Sequence, residues 1–207
     1  MNGVTVIDHP LVRHHLTDLR DARTNPEEFR RILGEVSALM VYEATRSLEV
    51  RSVTVKTPLT SARGDQLRRE VILVPILRAG LVMLEALLKL VPHASVGFIG
   101  MKREEETLMA AVYYKSLPAN LSRYEIILID PMLATGGSAV AAMNLLRERR
   151  ARRVRMVNLL AAPEGIRNFR RHHPDVPVFT AAIDRKLNAR GYIVPGLGDA
   201  GDRSFGV

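Results

Sequence analysis

One stretch constrains this chain more than any other: Ile126-Ile127-Leu128-Ile129-Asp130-Pro131-Met132-Leu133-Ala134-Thr135-Gly136-Gly137-Ser138. Four aliphatic residues in an unbroken run suit a strand buried on both faces of a parallel sheet. The acid that ends the run, Asp130, then sits where open α/β sheets bind ligands, outside the carboxyl ends of the strands. Gly136 and Gly137 let the backbone approach a ligand closely and aim successive N–H groups at it. An Ala-rich helical pattern starts at Ala139 and adds its positive N-terminal end. The stretch reads as an anion cradle, with hydroxyls from Thr135 and Ser138 and one carboxylate at its lip. An ordinary strand-to-helix turn, with Gly for the bend and Ser as cap, satisfies the same letters. A P-loop does not, because no Gly-Lys-Ser/Thr follows the glycines.

The rest of the chain alternates in the way such a strand requires. Residues 1–25 read as irregular. Thr24 or Asn25 caps a helix opened by Pro26, Glu27 and Glu28, in which Phe29, Ile32, Leu33, Val36 and Met40 recur at helical spacing to about Leu48. Val53 and Val55 suggest a short strand ended by Pro58. Val71 to Ile76, a helix from Gly80 to Leu90 and a strand around Ser95 to Ile99 form one βαβ unit, whose crossover should be right-handed. Strand 125–129, helix 138–150 and strand 153–160 form a second. A short helix at Pro163 and a strand over 176–183 complete the alternation. Residues 104–124 break it and predict a projecting hairpin or flap. Residues 184–207 hold five of the 14 glycines and predict a non-regular lobe over the end of the sheet. The prediction is one α/β domain over 1–207, built on a doubly wound, mostly parallel sheet.

Two arginines fall on the rim that carries Asp130. Arg78 ends the strand before a Gly-started helix, and Arg103 follows the next strand. Arg78 could instead merely cap a neighbouring carboxylate, and Arg103 could belong to the solvated charge run Lys102-Arg103-Glu104-Glu105-Glu106. The tail, Gly196-Leu197-Gly198-Asp199-Ala200-Gly201, matches G-x-G-x-x-G, but the six residues beyond it leave no room for the helix and distant acid of a dinucleotide site. What remains is a loop offering backbone N–H and C=O groups, with Asp199 inside it. Tyr192 and Ile193 are placed either to pack on a flat ring or to fill the core. His14-His15 and His172-His173 are adjacent pairs that should point apart and lack H-x-x-x-H spacing, so no metal role is expected of them.

The formal charge of +8 invites a nucleic-acid reading, but the arginines are dispersed. The densest cluster, Arg147 to Arg155, straddles a helix end where cations are favourable anyway. Polyphosphate substrates account for a basic balance, and no nucleic-acid partner is expected. No apolar run reaches the roughly 18 residues of a membrane span, and none resembles a secretory signal. The absence of cysteine excludes thiol nucleophiles and fits a cytoplasmic protein.

With these residues in view the chain resembles the uracil phosphoribosyltransferases, a branch of the type I phosphoribosyltransferases. Their motif for 5-phosphoribosyl 1-diphosphate (PRPP) sets four hydrophobic residues before two acids and a small-residue loop. Pro131 replaces the second acid here, as in the uracil branch. His9-Pro10-Leu11-Val12, Tyr42-Glu43-Ala44-Thr45, Leu77-Arg78-Ala79-Gly80, Ala161-Ala162-Pro163-Glu164-Gly165 and Gly191 through Phe205 extend the likeness along nearly the whole chain. The resemblance implies phosphoribosyl transfer from PRPP to uracil N1, giving UMP and diphosphate. It gives Arg78, Arg103 and Asp130 catalytic roles. It implies PRPP contacts at these three residues, at Pro131, Met132, Leu133, Ala134, Thr135, Gly136, Gly137 and Ser138, and at Asp199. Uracil contacts are implied at Tyr192, Ile193, Gly198, Asp199 and Ala200. Mg²⁺ is expected as the PRPP complex, not on protein side chains alone. Some members are activated by GTP, and members form dimers or larger assemblies. The chain departs from the family at Val82, Lys102 and Glu104, where Gly, Tyr and Asp are usual. A regulator that keeps the fold and binds RNA, or a transferase for a purine base, is the alternative. The intact rim argues against the first and the tail against the second.

Overall fold

A computed structural model describes residues 3–103 and 110–207, apart from the side chains of Arg103 and Ala110. In chain order the elements are β1 (Val4–Val6), α1 (Pro10–Arg20), α2 (Pro26–Ala44), β2 (Val50–Lys56), β3 (Ser61–Leu67), β4 (Val71–Leu77), α3 (Gly80–Leu90), β5 (Ser95–Val96), β6 (Phe98–Arg103) and β7 (Ala110–Ser116). Then follow β8 (Glu125–Ile129), β9 (Met132–Leu133), α4 (Gly137–Glu148), β10 (Arg153–Ala161), α5 (Pro163–His172), β11 (Val178–Ile183), β12 (Lys186–Leu187), β13 (Ile193–Val194) and α6 (Ala200–Phe205).

The main sheet runs β1-β11-β10-β8-β4-β6-β7, with β5 beside β4 and β9 beside β10. Within it, among the described residues, only β6 and β7 pair antiparallel. The aliphatic run of β8 has its explanation here. Successive side chains point to opposite faces. Ile127 and Ile129 enter a core cluster with α1, α2 and α3, while Ile126 and Leu128 enter a second cluster with α4 and α5. A strand covered by helices on both sides needs apolar residues at every position. This is the doubly wound, mostly parallel sheet expected from the sequence.

Chain order fixes where a ligand can enter. From β4 the chain crosses through α3 to β6 on one side, and from β8 it crosses through α4 to β10 on the other. The crevice between β4 and β8 is therefore the topological switch point. The register sets Pro75 beside Ile129 and Leu77 beside Gly100. Arg78, Asp130 and the backbone of Arg103 consequently leave their strands at the same edge.

Four expectations change. The lobe over 184–207 is not non-regular: β12 and β13 pair antiparallel and α6 follows them, because Gly191 turns the chain back between the strands and Asp199 caps the helix. Residues 1–25 are not irregular: β1 adds a parallel strand beside β11, and α1 is a helix of 11 residues. His9 caps it, its Nδ1 accepting from the Leu11 N–H at 3.2 Å, and Pro10 fits the first turn. Val12, Leu16 and Leu19 form its buried stripe, hidden in the sequence by the charged residues between them. Helix α2 stops at Ala44 rather than near Leu48, with the Thr45 hydroxyl donating to the Val41 carbonyl at 2.7 Å. The short strand expected at 53–55 is one arm of an antiparallel hairpin, β2–β3, which forms a sheet of its own. Of the predicted flap, residues 104–109 lie outside the described residues, and 110–116 form β7, a hairpin partner of β6. Among the described residues no helix is long and apolar enough to cross a membrane.

Candidate active site

The glycine turn after β8 is held from behind. The carbonyls of Pro131 and Leu133 accept from the N–H groups of Leu160 and Ala162, both at 3.0 Å, and the Thr135 carbonyl accepts from Asn168 Nδ2 at 2.9 Å. With these carbonyls turned toward β10 and α5, the turn borders a small pocket lined by Asp130 and residues 132–139. Gly136 caps α4 at φ +79°, a left-handed conformation that suits glycine. An added Cβ there would meet the Gly165 carbonyl at 2.7 Å. The first N–H groups of α4 have no intrahelical acceptor, and the helix end is positive, so the pocket is built for an anion.

Next to this pocket opens a cleft of about 530 Å³, whose walls include Arg78, Lys102, Tyr113, Asp130, Ser138 and Asp199. Gly80 makes the approach possible, since a Cβ there would meet the Ile129 carbonyl at 2.8 Å. Helix α3 can thus start against the end of β8, which brings Arg78 to the cleft that Asp130 also lines. Arg78 is exposed, and its Nη2 lies 3.4 Å from Asp202 Oδ1. Burial pushes the Asp130 carboxyl up to about 7, and the nearby Asp199 charge adds to the rise. The Met132 N–H donates to Asp130 Oδ1 at 3.4 Å and acts in the opposite direction.

The tail forms the wall beyond Asp199. That residue caps α6, its Oδ1 accepting from the Asp202 N–H at 2.9 Å. Gly198 has φ +83° and, among the described residues, spends neither its N–H nor its C=O on a partner. Ile193 joins the core and Ala200 is buried at the start of α6. Tyr192 is 45% exposed. The structure thus gathers Arg78, Asp130, Ser138 and Asp199 around one cleft and places residues 132–137 in the adjoining pocket. Pro131, Tyr192, Ile193, Gly198 and Ala200 are not among the residues lining either, and the Arg103 side chain lies outside the described residues.

Sequence reasoning missed Tyr113, Gly165 and Asn168. The Tyr113 ring lies over Gly100, where an added Cβ would meet its Cε2 at 2.6 Å, and only the β6–β7 pairing reveals that. Gly165 packs so closely that a Cβ would meet the Ala134 carbonyl at 2.3 Å. The first histidine pair does not diverge as expected. His14, His15 and Asp18 bring their ligand atoms within 4.8 Å of one another, because Asp18 lies one helical turn from His14 and both rings lean toward it. None of them lines the cleft. His173 is buried against Phe169. A larger cavity, about 580 Å³, lies between α2, α3 and α6, and Val82 lines it as a packing residue of α3.

The sequence profile of the uracil phosphoribosyltransferase family matches residues 6–207. A uracil phosphoribosyltransferase of Rhizobium etli (strain CIAT 652) is 55% identical over 208 residues, covering 100% of each chain. The solved structure of the AQ2163 protein from Aquifex aeolicus superposes with a TM-score of 0.94 at 39% identity, over 99% of this chain and 98% of that one. A purine phosphoribosyltransferase from Pyrococcus horikoshii shares the fold alone, with a TM-score of 0.53 at 12% identity over 74% of this chain and 84% of that one.

Proposed function

The chain belongs to the uracil phosphoribosyltransferase family, and on that premise we propose that it transfers the 5-phosphoribosyl group of PRPP to N1 of uracil, giving UMP and diphosphate. The observation that carries the reading is the position of Asp130. It stands between an anion pocket at a helix N-terminus and a cleft walled by Arg78 and Lys102. A sugar with a phosphate at one end and a diphosphate at the other matches that order.

The 5-phosphate falls to the N–H groups and hydroxyls of residues 132–138, and binding there holds C1 in place from a distance. Breaking the bond from C1 to diphosphate leaves an oxocarbenium-like ribose and a highly charged leaving group. Arg78 and Arg103 offset the leaving charge. Asp130 accepts from the ribose hydroxyls and lies close to the developing cation. Pro131 brings no second carboxylate, so Mg²⁺ enters as part of the substrate, the PRPP complex, and supplies charge neutralisation on the diphosphate. Asp130 and Asp199 offer the oxygen chemistry a hard dication accepts.

Residues 192–200 read the base, with Tyr192, Ile193 and Ala200 framing the ring. Uracil presents O4 as acceptor and N3–H as donor, and the unspent N–H and C=O of Gly198 can meet both. Cytosine presents the reverse pattern and would leave those groups unpaired. Assembly into a dimer or larger oligomer belongs to the same reading. The β2–β3 hairpin supports it, standing apart from the sheet with Leu59 at its tip 96% exposed. Activation by GTP rests on family membership alone.

The test is one purified sample incubated with Mg²⁺, PRPP and each nucleobase in turn. UMP and diphosphate should form in equal amounts with uracil and with no other base. A nucleotide formed from hypoxanthine or guanine, or no product with uracil, would overturn the assignment.

A further inference from the structure

Resting on residues 192–200 as the base wall, we propose that Arg20 and Asp184 are a positioning pair that sets this wall for uracil. Arg20 is the last residue of α1, and Asp184 follows β11 and is only 7% exposed. They form a two-pronged ion pair, Arg20 Nη1 to Asp184 Oδ2 at 2.8 Å and Nη2 to Oδ1 at 2.6 Å. Both partners also hold the same backbone residue. Arg20 Nη1 donates to the Gly196 carbonyl at 2.7 Å, and the Gly196 N–H donates to Asp184 Oδ2 at 2.8 Å. The donor and the acceptor of one residue are therefore fixed by one ion pair. Gly196 has φ +61°, and a Cβ there would meet the Ile193 carbonyl at 2.1 Å, so this turn admits no side chain.

Two residues further on stands Gly198 with its unspent N–H and C=O. Arg203 closes the other side. Its guanidinium donates to the carbonyls of Leu19, Leu197 (3.1 Å) and Asp21 (2.6 Å) and lies 4.5 Å from the Phe29 ring centroid. An ion pair with Asp184 buried and Arg20 a quarter exposed is a poor source of net stability, because desolvating the charges offsets much of their attraction. What the planar fork contributes is direction, and discrimination between uracil and cytosine depends on where two backbone groups point.

The experiment compares the wild type with Arg20→Lys, Asp184→Asn and the double variant Arg20→Leu/Asp184→Leu, which leaves no buried charge without a partner. Thermal midpoints establish that each is folded. Steady-state kinetics then give KM for uracil, KM for PRPP and the preference for uracil over cytosine. In the folded double variant KM for uracil should rise about tenfold or more and the preference should shrink, with KM for PRPP within about twofold. An unchanged KM and preference for uracil, or equal rises in both KM values, would overturn the inference. Amide hydrogen exchange of the wild type with UMP separates the two layers. Protection over 197–200 beside unaltered variant kinetics removes the pair's role and keeps the base wall. No protection there removes the base wall, and this inference with it.

Discussion

Asp130 is the residue at which sequence and environment combine most directly. The aliphatic run gave its place at the end of a strand, but nothing in the letters says how it ionises. Burial holds its proton up to about pH 7, against an ordinary value of 3.8. Between those values the folded chain binds more protons than the unfolded chain, so this carboxyl's contribution to stability declines as pH rises. Asp130→Asn removes the titration. The thermal midpoint of the variant minus that of the wild type should therefore grow from pH 5 to pH 8; a pH-independent difference would contradict the raised value. Arg78 was legible for the same reason as Asp130, as a charged residue at a strand end. Tyr113 was not, and for Asp184 the strand-end position was legible but the role was not. Their roles come from chain segments far away in sequence, Gly100 across a hairpin and Arg20 at the end of α1.

Elements were legible where one residue type dominated a face. Strands β4, β8 and β10 and helices α3 and α4 follow from periodicity and caps, to within a few residues. Helix α1 was not seen because its stripe is three residues among charges, and β3 because Ser61-Ala62-Arg63-Gly64-Asp65-Gln66-Leu67 has no apolar alternation. Helix α5 was seen as an element, but its duty was not. Its first two turns back the phosphate turn, with Gly165 against the Ala134 carbonyl and Asn168 holding that of Thr135. Gly165→Ala forces a methyl into that contact, and overpacking of this kind costs roughly 1–3 kcal/mol. KM for PRPP should rise about tenfold while KM for uracil stays within about twofold. Equal effects on both substrates would mean that α5 supports the whole cleft rather than the phosphate end.

Across the whole molecule the two rims of the sheet divide the work. The carboxyl rim holds the cleft, and the opposite rim holds a buried charge cluster. Glu125, 5% exposed at the start of β8, meets Arg155 at 3.1 Å, Arg153 at 3.2 Å and Arg69 at 3.5 Å. Arg155 also donates to the Ala44 carbonyl at 2.6 Å, tying the end of α2 to the sheet. Removing one partner of such a cluster leaves buried charge without compensation, at about 3–5 kcal/mol. Glu125→Ala should lose that much in urea unfolding. Its turnover at saturating substrates should stay within about twofold of the wild type, because Glu125 lies about 16 Å from Asp130 along the strand. A fold-preserving Glu125→Ala with greatly reduced turnover would contradict the division between rims. The anion pocket, the adjoining cleft and the tail wall next to Asp199 together seat the phosphate, ribose and base of a single nucleotide in that order. The most direct test of that order is a crystal structure with UMP and diphosphate. The 5-phosphate should lie on the N–H groups of residues 135–138, the diphosphate beside Arg78, and the uracil edge on the backbone of Gly198. UMP bound with its base on the glycine turn after β8, or with its phosphate on Arg78, would contradict it.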